Sequence, residues 1–355
     1  MRESPLKIAL MGLDEGGGFL LEAAQGLDCF TIAAVADSDA NTAQQFSKLA
    51  GCASYDDYRQ LIMQNQLDCL FVSAPIHTCV EYLRMAIKKK FNIFKLPPLA
   101  RNYGEAAELV KLAEAEGVSL VVANPGRFAQ SALALRAFIQ NNPTEQFFFI
   151  LAASERKNEH NALSQKWQSD PVLAGGGAIL YDCWEIIDRI VWNFGIPQQV
   201  YCPVLSTVEG VAGSASPDRQ QRLYLTEDAA IVTMKFSDIL SGTLLAGRAA
   251  GAFDGKPQKW LAAQGQNILI KVSDKNFEAT DSQGRCLQRD EFNDDNFSRI
   301  KKAMENFGSN LIAPDNNPLI STAADNLKNM AVIEAAYLSA RTGVPEEPAK
   351  ILKIA

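Results

Sequence analysis

Histidine is nearly missing from this chain: His77 and His160 are the only two in 355 residues, too few for a histidine-rich metal centre. No metal is therefore expected. Cysteine is sparse too. Seven residues are scattered singly with no C-x-x-C pair, and an odd, dispersed set reads as reduced thiols in a cytoplasmic protein. No apolar run approaches membrane-spanning length, and Met1-Arg2-Glu3-Ser4-Pro5 lacks the apolar core of a signal peptide, so no membrane role is expected. Positive charge is in deficit, with 34 Lys and Arg against 41 Asp and Glu and a net charge of −7. That balance disfavours a nucleic-acid surface, and no basic stripe with interleaved aromatics is present. Internal repeats and low-complexity tracts are also lacking.

What is present is an ordinary globular composition, 47% hydrophobic and 21% charged, in a chain long enough for two domains with separate cores. The first informative stretch is 7–24. An apolar strand (Ile8, Ala9, Leu10, Met11) runs into Gly12-Leu13-Asp14-Glu15-Gly16-Gly17-Gly18, and a helix opens at Phe19. Strand, glycine-rich turn and helix in that order form the front of a dinucleotide-binding unit, where unpaired N–H groups at the helix start hold a pyrophosphate. The usual G-x-G-x-x-G is spelled here Gly12-x-Asp14-x-x-Gly17. The middle glycine, which lets backbone approach the phosphates, is an aspartate.

At about 5 Å and an effective dielectric near 20, Asp14 and one phosphate charge would repel by roughly 3 kcal/mol. Alternatively, Asp14 and Glu15 cap the helix with the chain's own carboxylates and fill the anion site from within. Against that, Gly16-Gly17-Gly18 gives the turn freedom to cradle phosphates in a slightly longer loop. At this point either a bound dinucleotide or none is compatible with the turn.

Strand and helix patterns alternate through residue 124. Strands are expected at 30–36, 68–73, 92–96 and 118–123, and helices through Phe46 and Leu49, over 55–63, over 78–90 and over 104–116. Repeated strand–helix units imply a doubly wound parallel sheet with helices on both faces, a Rossmann-like domain over 1–124. Asp37 ends the second strand, 25 residues after Gly12. An acid there can accept both ribose hydroxyls of an adenosine, favouring NAD over NADP. It can equally cap the next helix.

Past 124 the rhythm changes. Long helices over 128–139 and 178–192 and strand-like runs at 147–151, 200–208, 222–225, 229–236, 241–247, 260–263 and 268–272 precede a final helix over 323–342. Short turns between most runs suggest a large, mostly antiparallel, open-faced sheet in an α+β domain over 125–355. The Gly-, Ser- and Ala-rich stretch 210–218 is expected to be a mobile loop.

Taken together, Val35-Ala36-Asp37, Ala74-Pro75, Pro98-Leu99-Ala100, Arg127-Phe128, Trp167-Gln168-Ser169-Asp170-Pro171 with Gly175-Gly176-Gly177-Ala178, and the helix around Glu334 and Tyr337 occur in an order that resembles the Gfo/Idh/MocA family. The resemblance covers nearly the whole chain. It implies a two-domain NAD(P)-dependent oxidoreductase acting on sugars, polyols or related small hydroxy compounds. It also implies that Gly12, Asp14, Gly16, Gly17, Asp37, Ala74, Pro75, Leu96 and Pro97 line the cofactor site. Relatives bury the open sheet face against another subunit, so a homodimer or homotetramer through the carboxyl-terminal sheet is expected.

The family's active site departs from this pattern. Relatives carry Glu-Lys-Pro where this chain has Leu96-Pro97-Pro98, and an aspartate and a histidine where it has Tyr181 and Glu185. The histidine that usually follows the fourth strand is replaced by Cys79. Oxidising an alcohol with a nicotinamide needs a group to take the hydroxyl proton and a cation or donor to steady the oxygen. Proline can do neither. Lys95, two residues before Pro97, shares its face in an extended strand and reaches either the cleft or solvent. Tyr181 and Glu185, one helical turn apart, make either a phenol–carboxylate acid/base couple or a packed tyrosine beside a solvated glutamate. Asp182 and Asp188 read as structural, and Arg127 as an anion contact or an ion pair. His77 reads as a cofactor contact or a helix-start residue, and Cys183 as reactive only with a depressed pKa.

Two functions follow. One is an NAD-using oxidoreductase whose chemistry has moved to Tyr181, Glu185 or Lys95. The other is a catalytically inactive relative that serves as a binding or regulatory protein.

Overall fold

In the computed structural model, residues 4–156, 166–206, 226–248 and 258–353 are described. The expectations for 207–208, 210–218, 222–225 and His160 lie outside them. The chain divides into two compact units: 1–100, 104–128 and 295–326 in the first, and 101–103, 129–294 and 327–355 in the second.

The first unit is a six-stranded parallel sheet. Its strands are β1 (Leu6–Met11), β2 (Phe30–Ala36), β3 (Ala53–Tyr55), β4 (Cys69–Val72), β5 (Asn92–Lys95) and β6 (Leu120–Val122), in the order β3-β2-β1-β4-β5-β6. The last four residues of β1 and all of β4 are continuous buried apolar runs because both faces there are covered, as parallel sheets require. Between the strands run α1 (Glu15–Gln25), α2 (Ala40–Ala50), α3 (Tyr58–Gln64), α4 (Ile76–Lys88) and α5 (Tyr103–Glu116). The order reverses between β1 and β4, and in open α/β sheets ligands bind in the crevice at the carboxyl ends of strands flanking such a switch.

The second unit opens with α6 (Gln130–Asn141) and β7 (Phe147–Glu155), followed by α7 (Pro171–Ala174), α8 (Ala178–Tyr181) and α9 (Trp184–Phe194). Among the described residues seven further strands follow: β8 (Gln199–Ser206), β9 (Ala229–Lys235), β10 (Ser241–Gly247), β11 (Gln258–Gly265), β12 (Ile268–Ser273), β13 (Asn276–Asp281) and β14 (Cys286–Glu291). The sheet order is β14-β13-β12-β11-β7-β10-β9-β8, antiparallel except for the β7–β10 pair. In β9 and β10 every second residue is buried, so one face packs under α6, α8 and α9. The other leaves Phe149 and Leu151 of β7 59% and 52% exposed.

The next helix, α10 (Asn296–Ile312), belongs to the first unit and was not anticipated from the sequence. Its start is written locally: Asp295 and Ser298 form a reciprocal capping box. Phe307 then stacks 5.4 Å from Phe94 and 6.2 Å from Phe71, completing one face of the parallel sheet. The final helices are α11 (Ala323–Thr342) and α12 (Pro348–Ile351).

Candidate active site

At the carboxyl end of β1 the backbone of Gly12 turns with φ +85, and a Cβ there would lie 2.2 Å from the Ala74 nitrogen. Only glycine fits. A Cβ on Gly17 would come 2.2 Å from the Gly12 carbonyl oxygen, so the start of α1 rests directly on the strand end. These two close approaches fall at the positions of the first and third glycines of a dinucleotide-binding turn.

Between them Asp14 is the N-cap of α1: its Oδ1 accepts from the Gly17 N–H at 3.0 Å and from the Ser73 hydroxyl at 2.5 Å. Of the two compatible arrangements of this turn, the self-capped one is present at the third helical position. The first two are left open. Among the described residues no acceptor meets the N–H groups of Glu15 and Gly16. Two adjacent free donors at a helix start suit an anion, so the turn still fits a pyrophosphate, with Asp14 as its neighbour.

Asp37 follows β2 and is tied into the same turn. Its Oδ2 accepts from the Leu13 N–H at 2.8 Å and its Oδ1 from the Asp39 N–H at 2.9 Å. The cap of α2 is Asp39, not Asp37. Ala74 and Pro75 lead from β4 into α4, with the Ala74 N–H donating to Met11 O at 3.1 Å. Leu96 leaves β5 beside Gly16, whose missing Cβ would sit 2.8 Å from Leu96 Cδ1, and Pro97 follows through a cis bond to Pro98. The structure thus brings Gly12, Asp14, Gly16, Gly17, Asp37, Ala74, Pro75, Leu96 and Pro97 to one edge of one sheet. Ser73, unremarked in the sequence, joins them; only its place after an apolar strand hinted at it.

Lys95 is neither solvated nor at an open edge. It is 3% exposed, and its Nζ donates to Leu96 O at 3.0 Å. Arg127 is 2% exposed and pairs with Asp325 at 3.0 Å within the same unit. His77 lies in the first turn of α4.

In the second unit the helix expected over 178–192 is broken. Asp182 and Cys183 separate α8 from α9, because Ser154 Oγ donates to the Asp182 carbonyl at 2.6 Å while Arg248 and Arg156 take its carboxylate. A carbonyl engaged by β7 is diverted from the helical ladder. Tyr181 and Glu185 therefore stand on separate helices. The Tyr181 hydroxyl donates to Ala174 O at 2.7 Å, and its ring meets Trp167 edge-on at 6.2 Å. Glu185 Oε2 accepts from Lys259 Nζ of β11 at 2.7 Å, in a pair whose side chains are 20% and 31% exposed. Burial opposes the charge on Lys259, but the Glu185 carboxylate outweighs it and holds the ammonium pKa above its ordinary value. Alternation with buried Leu261 and Ala263 was the sequence signal that Lys259 points to the helix-covered face.

Ahead of α8, Glu227 accepts from Gly177 N–H, Ile179 N–H and the Tyr337 hydroxyl at 2.8, 2.9 and 2.8 Å. Its burial raises its pKa against the pull of those donors. Cys183 is fully buried, and burial, with Asp182 and Glu227 nearby, pushes its thiol far up, so it is no reactive thiolate. Asp188 is buried and accepts from Asn329 at 2.8 Å, a structural role. Among the described residues, no helix is long and apolar enough to cross a membrane.

Comparison with known proteins adds two findings. Residues 6–124 match the GFO_IDH_MocA model, described as an oxidoreductase family with an NAD-binding Rossmann fold. Among solved structures, an oxidoreductase from Agrobacterium radiobacter in complex with NAD+, L-tartaric acid and magnesium superposes with a TM-score of 0.82 at 16% identity, covering 98% of this chain and 99% of that one. The WlbA dehydrogenase from Bordetella pertussis, in complex with NADH and UDP-GlcNAcA, gives 0.80 at 15% identity over 97% and 98%. A levoglucosan dehydrogenase with NADH and levoglucosan gives 0.83 at 15% identity over 97% and 99%. At such identities the likeness establishes the fold.

Proposed function

We propose, from the match of residues 6–124 to an oxidoreductase family with an NAD-binding Rossmann fold, that the protein is an NAD-dependent oxidoreductase acting on a sugar, polyol or related small hydroxy compound. The observation that carries this reading is the pair of open N–H groups on Glu15 and Gly16, set between the close-packed Gly12 and Gly17 and beside Asp37. The ligands seen with the structural neighbours, tartaric acid, a nucleotide sugar acid and levoglucosan, support the substrate class.

Bound NAD supplies the hydride acceptor. Asp37, pinned by Leu13 and Asp39, keeps a carboxylate at the end of β2, which suits ribose hydroxyls and repels a 2′-phosphate. Glu185 is the base that takes the substrate's hydroxyl proton, and Lys259 keeps a positive charge within 2.7 Å of it. The Lys259 ammonium is the cation we assign to steadying the substrate oxygen. Lys95 and Tyr181, bonded to Leu96 O and Ala174 O, hold the ends of β5 and α8 as positioning residues.

The test follows NADH formation at 340 nm with a panel of sugars, polyols and sugar acids, with NADP in parallel. Turnover with NAD is expected, and Glu185→Gln should lower it by about 10² to 10⁴, the usual worth of acid–base help. Dinucleotide binding without turnover on any panel member would instead favour a binding or regulatory protein.

We further propose that the open sheet face, with Phe149 and Leu151 at its middle, is buried in a homodimer or homotetramer. A monomer by light scattering at micromolar concentration would contradict this. We also propose a reducing, cytoplasmic setting, because the seven cysteines are scattered singly with no C-x-x-C pair.

A further inference from the structure

The turn that fits a pyrophosphate also carries an anion of its own. Asp14 Oδ1 is held by two donors, the Gly17 N–H of α1 and the Ser73 hydroxyl that follows β4, so the carboxylate is fixed at the mouth of the turn rather than free to swing away. The surrounding backbone keeps the close approach of a phosphate-binding turn at Gly12 and Gly17. The departure is confined to one side chain and its charge.

We propose that Asp14 sets the affinity for the dinucleotide: it is a built-in competitor that takes one helix-start donor and repels the phosphates bound at the other two. Its consequence is a cofactor that is weakly held and readily exchanged. This rests on the reading of the turn as a dinucleotide site.

The size of the effect follows from elementary electrostatics. One like-charge pair at about 5 Å and an effective dielectric near 20 is worth roughly a hundredfold in affinity. Against this, Asp14 stabilises the empty turn, because an anion at a helix start is favourable and the third N–H is satisfied. Binding must therefore overcome the repulsion without losing that cap. Ser73 contributes by holding Asp14 in place.

Asp14→Asn separates charge from shape, since asparagine is as good an N-cap as aspartate. Asp14→Gly removes both charge and bulk, and glycine at an N-cap costs only a few tenths of a kcal/mol relative to the polar caps. Both variants should fold, which melting without ligand checks. NADH, ADP and adenosine are titrated by calorimetry against wild type, Asp14→Asn, Asp14→Gly and Ser73→Ala. The expected result is roughly a hundredfold tighter binding of NADH and ADP by Asp14→Asn and at least as large a gain by Asp14→Gly, with adenosine unchanged. The wild-type deficit should shrink as salt rises, because the repulsion is screened.

Equal or weaker NADH binding by both variants, with wild type still binding, would overturn the competitor role and leave the dinucleotide reading standing. A matching gain for adenosine would likewise overturn it, since no phosphate is then involved. Failure of all four proteins to bind NADH or ADP at millimolar concentration would remove the dinucleotide reading and the proposal together.

Discussion

Replacing Glu227 should destabilise the second unit in a way that depends on pH with a definite sign. The side chain is 5% exposed and serves three donors, the Gly177 and Ile179 N–H groups at the start of α8 and the Tyr337 hydroxyl of α11. Glu227→Ala strands all three. An unsatisfied buried donor costs about 1–3 kcal/mol, and the relief of desolvating a carboxylate returns part of that, so a net loss of about 3–5 kcal/mol is expected.

Burial raises the folded-state pKa of Glu227 above its unfolded value, which is about 4.3. A group raised on folding contributes stability that is fully present below the unfolded pKa and lost as pH rises through the folded one. Glu227→Gln cannot titrate, and every other group is common to both proteins. The gap between wild type and Glu227→Gln should therefore be widest near pH 4 and narrow as pH climbs. Urea midpoints from pH 4 to 9, followed by the ellipticity of the whole chain and by tryptophan emission, measure it. An Ala variant within about 0.5 kcal/mol of wild type would show that Glu227 does not hold α8. A gap that stays constant with pH would refute the linkage.

Two further outcomes follow from the first unit. Phe307→Ala empties the ring cluster with Phe71 and Phe94 and should cost about 3–5 kcal/mol of that unit's stability in urea, although α10 is distant from it in sequence. Gly17→Ala places a methyl 2.2 Å from the Gly12 carbonyl, so it should lower the melting temperature and weaken NADH binding by at least tenfold in a fluorescence titration; unchanged values would mean the strand–helix contact can yield.

Much of the architecture was legible because it is local. The apolar runs of β1 and β4, the glycines after Met11 and the alternation in β9 and β10 each state their element through neighbouring residues. Less visible was α10, whose capping box is equally local but whose destination is not: nothing near Phe307 says that it completes a sheet laid down two hundred residues earlier. The expected continuous helix over 178–192 shows the same limit. Its sequence is helical throughout, and the break at Asp182 comes from Ser154, Arg156 and Arg248 on other strands and their flanks.

From its own order of residues the chain determined the two kinds of sheet, the nucleotide-type turn and the substitution of Asp14, Pro97, Tyr181 and Glu185 at positions where chemistry would be looked for. Only the tertiary structure decided what those residues touch: Asp14 takes Ser73, Tyr181 takes a carbonyl, and Glu185 takes a lysine 74 residues away. Periodicity is set by residues three or four apart, whereas the partner of a buried charge is chosen by whichever strand the whole fold lays beside it, because an unpaired charge there costs several kcal/mol.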